Sequence, residues 1–179
     1  MRTILLFLNN MSIDKIENIR HKHDPLFGLI PSHITIVFPF KSNISNDELK
    51  SHIFNVSKGG GKIEIEFANR ITSVGNYLFL EVDRGRKQIE ELHDSLYTGP
   101  LLQFLKEDIP YIPHVTVGRK ESAELAAEVV KEIPSFHGKL NCVIDRISVE
   151  RIGENGESII EFEVPFFKSG QKSAFYFVA

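Results

Sequence analysis

The chain of 179 residues is 42% hydrophobic and 10% aromatic, with 24 acidic against 21 basic residues and a formal net charge of −3. That length can bury roughly 70% of the unfolded surface in one globular unit, so a single domain over residues 1–179 is expected. The charge excludes a protein that coats long nucleic acid by counterion release and leaves a small or terminal phosphate open as ligand, while the sole cysteine, Cys142, excludes an internal disulfide and a zinc site built on cysteines.

In chain order, Arg2 to Leu8 reads as a first strand. Its apolar run, Ile4 to Leu8, is shorter than a signal-peptide core and is followed by Asn9 and Asn10. No spanning segment or targeting signal is read anywhere, and a cytoplasmic protein is the expectation. A helix from about Ile13 to Arg20 follows, and then the strand Pro31-Ser-His33-Ile-Thr35-Ile-Val. Ser45-Asn-Asp-Glu48 is a capping box opening a helix toward Val56 that ends at Gly59, Gly60 and Gly61. Strands at Lys62 to Phe67 and Tyr77 to Val82 turn around Gly75-Asn76. A helix from about Arg86 to Leu105, with a breaker at Gly99-Pro100, leads to a second strand of the earlier kind, Pro113-His114-Val-Thr116-Val. A helix from about Ser122 to Glu132 stops at Pro134, and strands near Leu140 to Arg151 and Ser158 to Val164 join around Gly153 to Gly156.

The order strand, helix, strand, strand thus occurs twice, over about 33–83 and about 114–164. Finer echoes accompany it: Asn69-Arg-Ile-Thr72 with Asp145-Arg-Ile-Ser148, and Leu80-Glu-Val82 with Phe162-Glu-Val164. These point to an α+β fold of two similar lobes related by a pseudo-twofold, with antiparallel sheets flanked by helices around a central cleft.

Alternation puts His33 and Thr35 on one strand face, and likewise His114 and Thr116. A lone histidine in an apolar strand is usually structural, but the same His and Thr two apart in both halves are not explained by independent packing needs. Two imidazoles, each titrating near pH 6.5, divide base and acid work; two hydroxyls donate to a phosphate between them. Arg119 follows His114 by five residues and would supply positive charge, yet in a regular strand that odd spacing faces it away. Tyr111 is the aromatic candidate for stacking a base at the cleft mouth, with Phe38 and Phe40 more simply core.

These motifs make the chain similar to the two-histidine phosphoesterase superfamily, which includes the bacterial 2'-5' RNA ligases and 2',3'-cyclic phosphodiesterases. The resemblance covers nearly the full length, and Asp24-Pro25 with Ile30 to Phe40 resembles a little-characterised bacterial branch. It implies a bilobal fold around a water-filled cleft. It also implies catalytic His33 and His114, Thr35 and Thr116 on phosphate oxygens, and no metal or other cofactor. Phe38-Pro39-Phe40 replaces the more usual Leu and Gly-rich sequel to the first motif. The implied substrate is a small nucleotide or an RNA terminus, turned over by a cyclic phosphodiesterase that can also join 2'-5' links, in a protein expected to be a monomer without membrane contact.

Other constellations carry less. His21, His23 and Asp24 read as a solvated helix end rather than part of a metal site. His52, His93 and His137 lie in no repeated context. Lys58-Gly-Gly-Gly-Lys62 fails as a P-loop because Ile63 stands where Ser or Thr is required. Two rivals remain: a module that binds an RNA end or nucleotide without turnover, and a metal-dependent phosphatase, which would need carboxylates spaced with either histidine.

Overall fold

The computed structural model describes residues 1–8 and 13–166; Asn9 and Asn10, which close the first apolar run in the sequence, lie outside the described residues. In chain order the elements are β1 (Arg2–Phe7), α1 (Ile13–His23), β2 (His33–Phe40), α2 (Asn46–Ser57), β3 (Ile63–Phe67), β4 (Thr72–Val74) and β5 (Tyr77–Arg84). They continue with α3 (Arg86–Leu96), a 3-10 turn (Gly99–Phe104), β6 (His114–Arg119), α4 (Ala123–Glu132), β7 (Asn141–Ile144), β8 (Arg146–Ile152) and β9 (Ser158–Pro165). The fold is α+β, all strand pairs being antiparallel. The N-cap half of the expected capping box forms, with the Ser45 hydroxyl accepting from the Glu48 amide at 3.2 Å. Ser122 caps α4 in the same way, accepting from the Leu125 amide at 3.2 Å. The helical segment over 86–105 divides at the expected breaker, because Gly99 takes a positive φ of 51° and Pro100 supplies no amide for a continuing helix.

The strands lie in the order β7-β3-β5-β6-β2-β1-β8-β9, with β4 paired to β5. The two histidine strands, β6 and β2, are therefore neighbours at the middle. Residues 140–151 do not form one strand. Asp145 alone separates β7 from β8, and the two pair at opposite ends of the order, with β3 and with β1. One short extended segment can serve both ends only if the sheet curls toward closure, and this makes the half-barrel. The strands that follow each histidine also change sides: β3 and β5, which follow His33, lie beside β6, while β8 and β9, which follow His114, lie beyond β1 next to β2. Each lobe thus takes strands from both sequence repeats. The short strand β4 escaped the sequence reading because three residues carry no resolvable alternation.

Alternation along β2, β5 and β6 sends Ile34, Ile36, Leu78, Leu80, Val82, Val115 and Val117 into the core beneath the helices and leaves the opposite face half-open. No helix among the described residues is long and apolar enough to cross a membrane.

Candidate active site

The strands β2 and β6 pair antiparallel with Ile34 opposite Val115. One step either way along this register brings His33 abreast of Thr116 and Thr35 abreast of His114, so each imidazole lies beside the hydroxyl of the other repeat. Within its own strand, each histidine is turned the same way. The Nδ1 of His33 donates to the carbonyl of Pro31 at 2.8 Å, and that of His114 to the carbonyl of Ile112 at 2.5 Å. A carbonyl can only accept, so in the neutral ring the proton sits on Nδ1 and Nε2 keeps the lone pair for chemistry. Burial pushes both imidazoles below the ordinary 6.5.

What surrounds the two rings differs. Behind His33 lies a buried ionic cluster: the Arg20 guanidinium donates to Glu17 at 2.7 Å, to Asp24 at 2.8 Å and to the Ile30 carbonyl at 2.8 Å. Glu17 in turn accepts from the Ser32 amide at 3.0 Å and from the Ser32 hydroxyl. Ile30 and Ser32 are thus both clamped, and the Pro31 carbonyl between them is aimed at His33. Beside His114 stands a carboxylate instead. Glu81 is its cross-strand partner on β5, held by Arg86 at 2.8 Å and by the Thr72 hydroxyl at 2.9 Å. The Phe79 ring stacks on His114 with centroids 3.5 Å apart, whereas Phe7 meets His33 edge-on at 6.0 Å. After burial, the lesser influences on His33 include Arg20, which opposes its protonation, and those on His114 include Glu81, which favours it.

Arg119 does not face away. Tyr77, Phe79 and Glu81 alternate on one face of β5, and they register with Arg119, Thr116 and His114. The two-residue step on β5 from Phe79 to Tyr77 therefore spans three residues on β6, from Thr116 to Arg119. The bulge at Val117 restores the parity and brings Arg119 to the histidine face. Its guanidinium lies over the Tyr77 ring at 5.2 Å. The bulge also leaves Gly118 facing α1, where a Cβ would meet the Cβ of His23 at 2.7 Å. A matching irregularity follows His33: Leu5 pairs with Thr35 but Ile4 with Val37, which makes Phe38 the positional counterpart of Arg119.

Tyr111 reaches the seam by another route. Its hydroxyl donates to the Thr35 carbonyl at 3.0 Å and its ring stacks on His93 at 3.7 Å, so it buttresses β2 at Thr35. Burial drives the phenol far above its ordinary value. His93 donates to the Ile36 carbonyl at 2.8 Å, and Tyr97 accepts from the Phe38 amide at 2.9 Å. These three side chains satisfy backbone groups that the irregularity in β2 removes from the ladder. Phe40 is core, packed on Phe104 at 5.0 Å.

The remaining polar candidates are engaged structurally. His21 meets the edge of Phe27, His23 accepts from Lys120 at 3.0 Å, and Asp24 belongs to the Arg20 cluster. Among the described residues, no three His, Cys, Asp or Glu side chains are grouped to hold a metal ion. Phe79, Tyr77, Glu81 and Arg20 were not singled out in the sequence. The alternation Tyr77-Phe79-Glu81 was the available signal, and it becomes legible only once β5 is known to flank β6.

The family model described as the 2'-5' RNA ligase superfamily matches residues 9–156. A Bacillus licheniformis protein provisionally named a phosphoesterase is 27% identical over 158 residues, covering 86% of this chain and 90% of its own length. Among solved structures, E. coli LigT complexed with NADP+ superposes with a TM-score of 0.65 at 15% identity, covering 92% of this chain and 96% of LigT. The complex of E. coli LigT with 3'-AMP gives a TM-score of 0.63 at 12% identity, covering 93% and 98%.

Proposed function

The chain belongs to the 2'-5' RNA ligase superfamily, and within it we propose that this protein is a metal-independent phosphodiesterase acting on 2',3'-cyclic phosphates, at RNA ends or in small cyclic nucleotides. The observation that carries this reading is the crossed arrangement of the two motifs: each imidazole, its Nδ1 already committed to a backbone carbonyl, lies abreast of the other repeat's threonine. One neutral Nε2 takes a proton from water as the water oxygen bonds to phosphorus. The other histidine, protonated, gives its proton to the ribose oxygen whose bond to phosphorus breaks. Water is consumed and a ribose phosphomonoester remains. The hydroxyls of Thr35 and Thr116 donate to the non-bridging oxygens and stabilise the charge that builds there. With a ribose hydroxyl in place of water, the same proton transfers join two RNA ends without ATP, which is the 2'-5' ligase activity of the proposal. The binding of nucleotides by LigT, seen in its NADP+, 3'-AMP and ATP complexes, supports a nucleotide as the ligand.

The test is release of 2'- or 3'-phosphate from 2',3'-cyclic nucleotides and short cyclic-phosphate RNAs, in EDTA. Turnover in chelator is the expected result. Binding of these compounds without turnover would overturn the enzyme reading for them and leave a nucleotide-binding module.

A further inference from the structure

The two repeats approach their histidines through prolines set one residue apart. In both, the ring Nδ1 donates to the carbonyl two residues back, that of Pro31 for His33 and that of Ile112 for His114. The nitrogen of that same peptide belongs to Ser32 in the first repeat and to Pro113 in the second. Ser32 carries an N–H there and Pro113 carries none. A trans peptide is planar with its C=O and N–H pointing opposite ways, so whatever holds the Ser32 N–H also aims the Pro31 carbonyl. Glu17 holds it, accepting from the Ser32 amide at 3.0 Å and from the Ser32 hydroxyl. The Ser32 carbonyl accepts from the Leu8 amide at 3.1 Å, so every polar group of the residue ahead of His33 is engaged. Glu17 is fixed in turn by Arg20 at 2.7 Å, whose side chain is 1% exposed and also binds Asp24 and the Ile30 carbonyl. Buried ion pairs add little stability over apolar side chains of similar volume, so stability alone does not account for this one. At His114 the Pro113 carbonyl accepts from the Val82 amide at 2.9 Å, and the carboxylate of Glu81 stands across the strand from the ring instead.

Hydrogen bonds in a chain polarise one another, and here the chain runs from the His33 Nδ1–H to the Pro31 carbonyl and from the Ser32 N–H to a carboxylate. We infer that Glu17 is a positioning residue for His33: through the Pro31–Ser32 peptide it holds the imidazole in its Nδ1–H tautomer and supports the charge gained when Nε2 takes a proton. Glu17 itself exchanges no proton. This rests on the function proposed above and deepens it. The relay serves His33 alone, because proline interrupts it at His114, so the two rings present the same atom to phosphate and differ in what stands behind it.

Nitrogen-15 NMR of labelled histidine reads the tautomer directly. Well above pH 6.5 the His33 ring, assigned by comparison with His33→Ala, should show a single Nδ1–H form in the wild type. A tautomer mixture there overturns the relay outright. Glu17→Gln keeps the side-chain shape and removes the charge, while Ser32→Pro gives the first repeat the lead-in of the second and leaves Glu17 paired with Arg20. Each should shift His33 toward the Nε2–H form and lower kcat about tenfold or more at little-changed KM, with the His114 tautomer as in the wild type. Ser32→Ala keeps the N–H and should lose less than either. A Glu17→Gln protein with a lowered urea midpoint but the wild-type tautomer and kcat overturns the relay and leaves Glu17 a structural residue. If that variant does not fold, Ser32→Pro decides by the same readouts. If the wild type turns over no cyclic phosphate, the proposed activity fails, and the tautomer shift alone then decides the relay.

Discussion

The strands β2 and β6 begin alike and end differently. Each carries His-x-Thr on its open face, each fixes its imidazole through the carbonyl two residues back, and each then departs from regular pairing. After that departure β6 presents Arg119 over an exposed tyrosine, whereas β2 presents Phe38 within a cage of His93, Tyr97 and Tyr111 that consumes its backbone groups. The shared part is what the proposed reaction, symmetric in its proton transfers, requires. The divergent part makes the two ends of the seam chemically unlike, one open with a cation over an aromatic face, the other closed by packed rings.

The largest expected effect addresses the shared part. His33→Ala and His114→Ala should each lower kcat by about 10²- to 10⁴-fold, because each removes one partner of the acid-base pair. Steady-state turnover of a cyclic nucleotide in EDTA measures this. If one variant kept near wild-type kcat, the two strands would not share the chemistry and the crossed pair would be a structural coincidence.

Thr35→Val and Thr116→Val come next. Each removes one donor to the charge developing on phosphate without changing side-chain shape, with an expected loss of about 10²-fold in kcat. Equal losses would extend the equivalence of the strands to the hydroxyls; a loss at one position only would place the phosphate off the seam.

The divergent part is probed by stability. His93→Phe preserves a ring against Tyr111 but leaves the Ile36 carbonyl buried without its donor, at a cost of about 1–3 kcal/mol. A lowered urea midpoint at unchanged m value is the expected readout. An unchanged midpoint would mean that the irregularity in β2 does not depend on this clamp.

These asymmetries mark where the sequence was readable. Adjacency of the histidine strands followed from repetition, since a pseudo-twofold brings equivalent strands together, and the Ser45 cap from local chemistry alone. The face taken by Arg119 did not follow, because the Val117 bulge exists only relative to a partner strand whose identity the six residues of β6 cannot specify. The exchange of partners at Asp145 was invisible for the same reason: residues 141–144 and 146–152 are equally extended, and only the sheet they join differs. Tyr111 was legible as an aromatic near the site, but the Thr35 carbonyl that takes its hydroxyl lies 76 positions away. Long-range backbone partners of polar side chains leave no local pattern.

The smallest effect is the pH profile, and it sharpens the comparison most finely. Turnover needs one imidazole neutral and the other protonated, and burial pushes both below 6.5, so the optimum of kcat/KM should lie on the acid side of 6.5 and activity should decline as pH rises above it. Glu81 favours a proton on His114 and does not act on His33, which instead feels Arg20 and Asp24 in opposite senses. Glu81→Gln should move one limb to lower pH and leave the other in place; movement of both limbs together would show that the two rings titrate as one coupled unit. The same lowered values act on stability with a definite sign. Above 6.5 these histidines are neutral whether folded or unfolded. As pH falls through 6.5 toward the folded values, the unfolded chain binds protons that the folded one resists, so the stability present above 6.5 is progressively lost. Buried His93, also held below 6.5, adds to this loss. Urea midpoints measured across the same pH range should therefore fall where kcat/KM rises, because the burial that keeps each Nε2 a free base is paid back in proton binding by the unfolded chain.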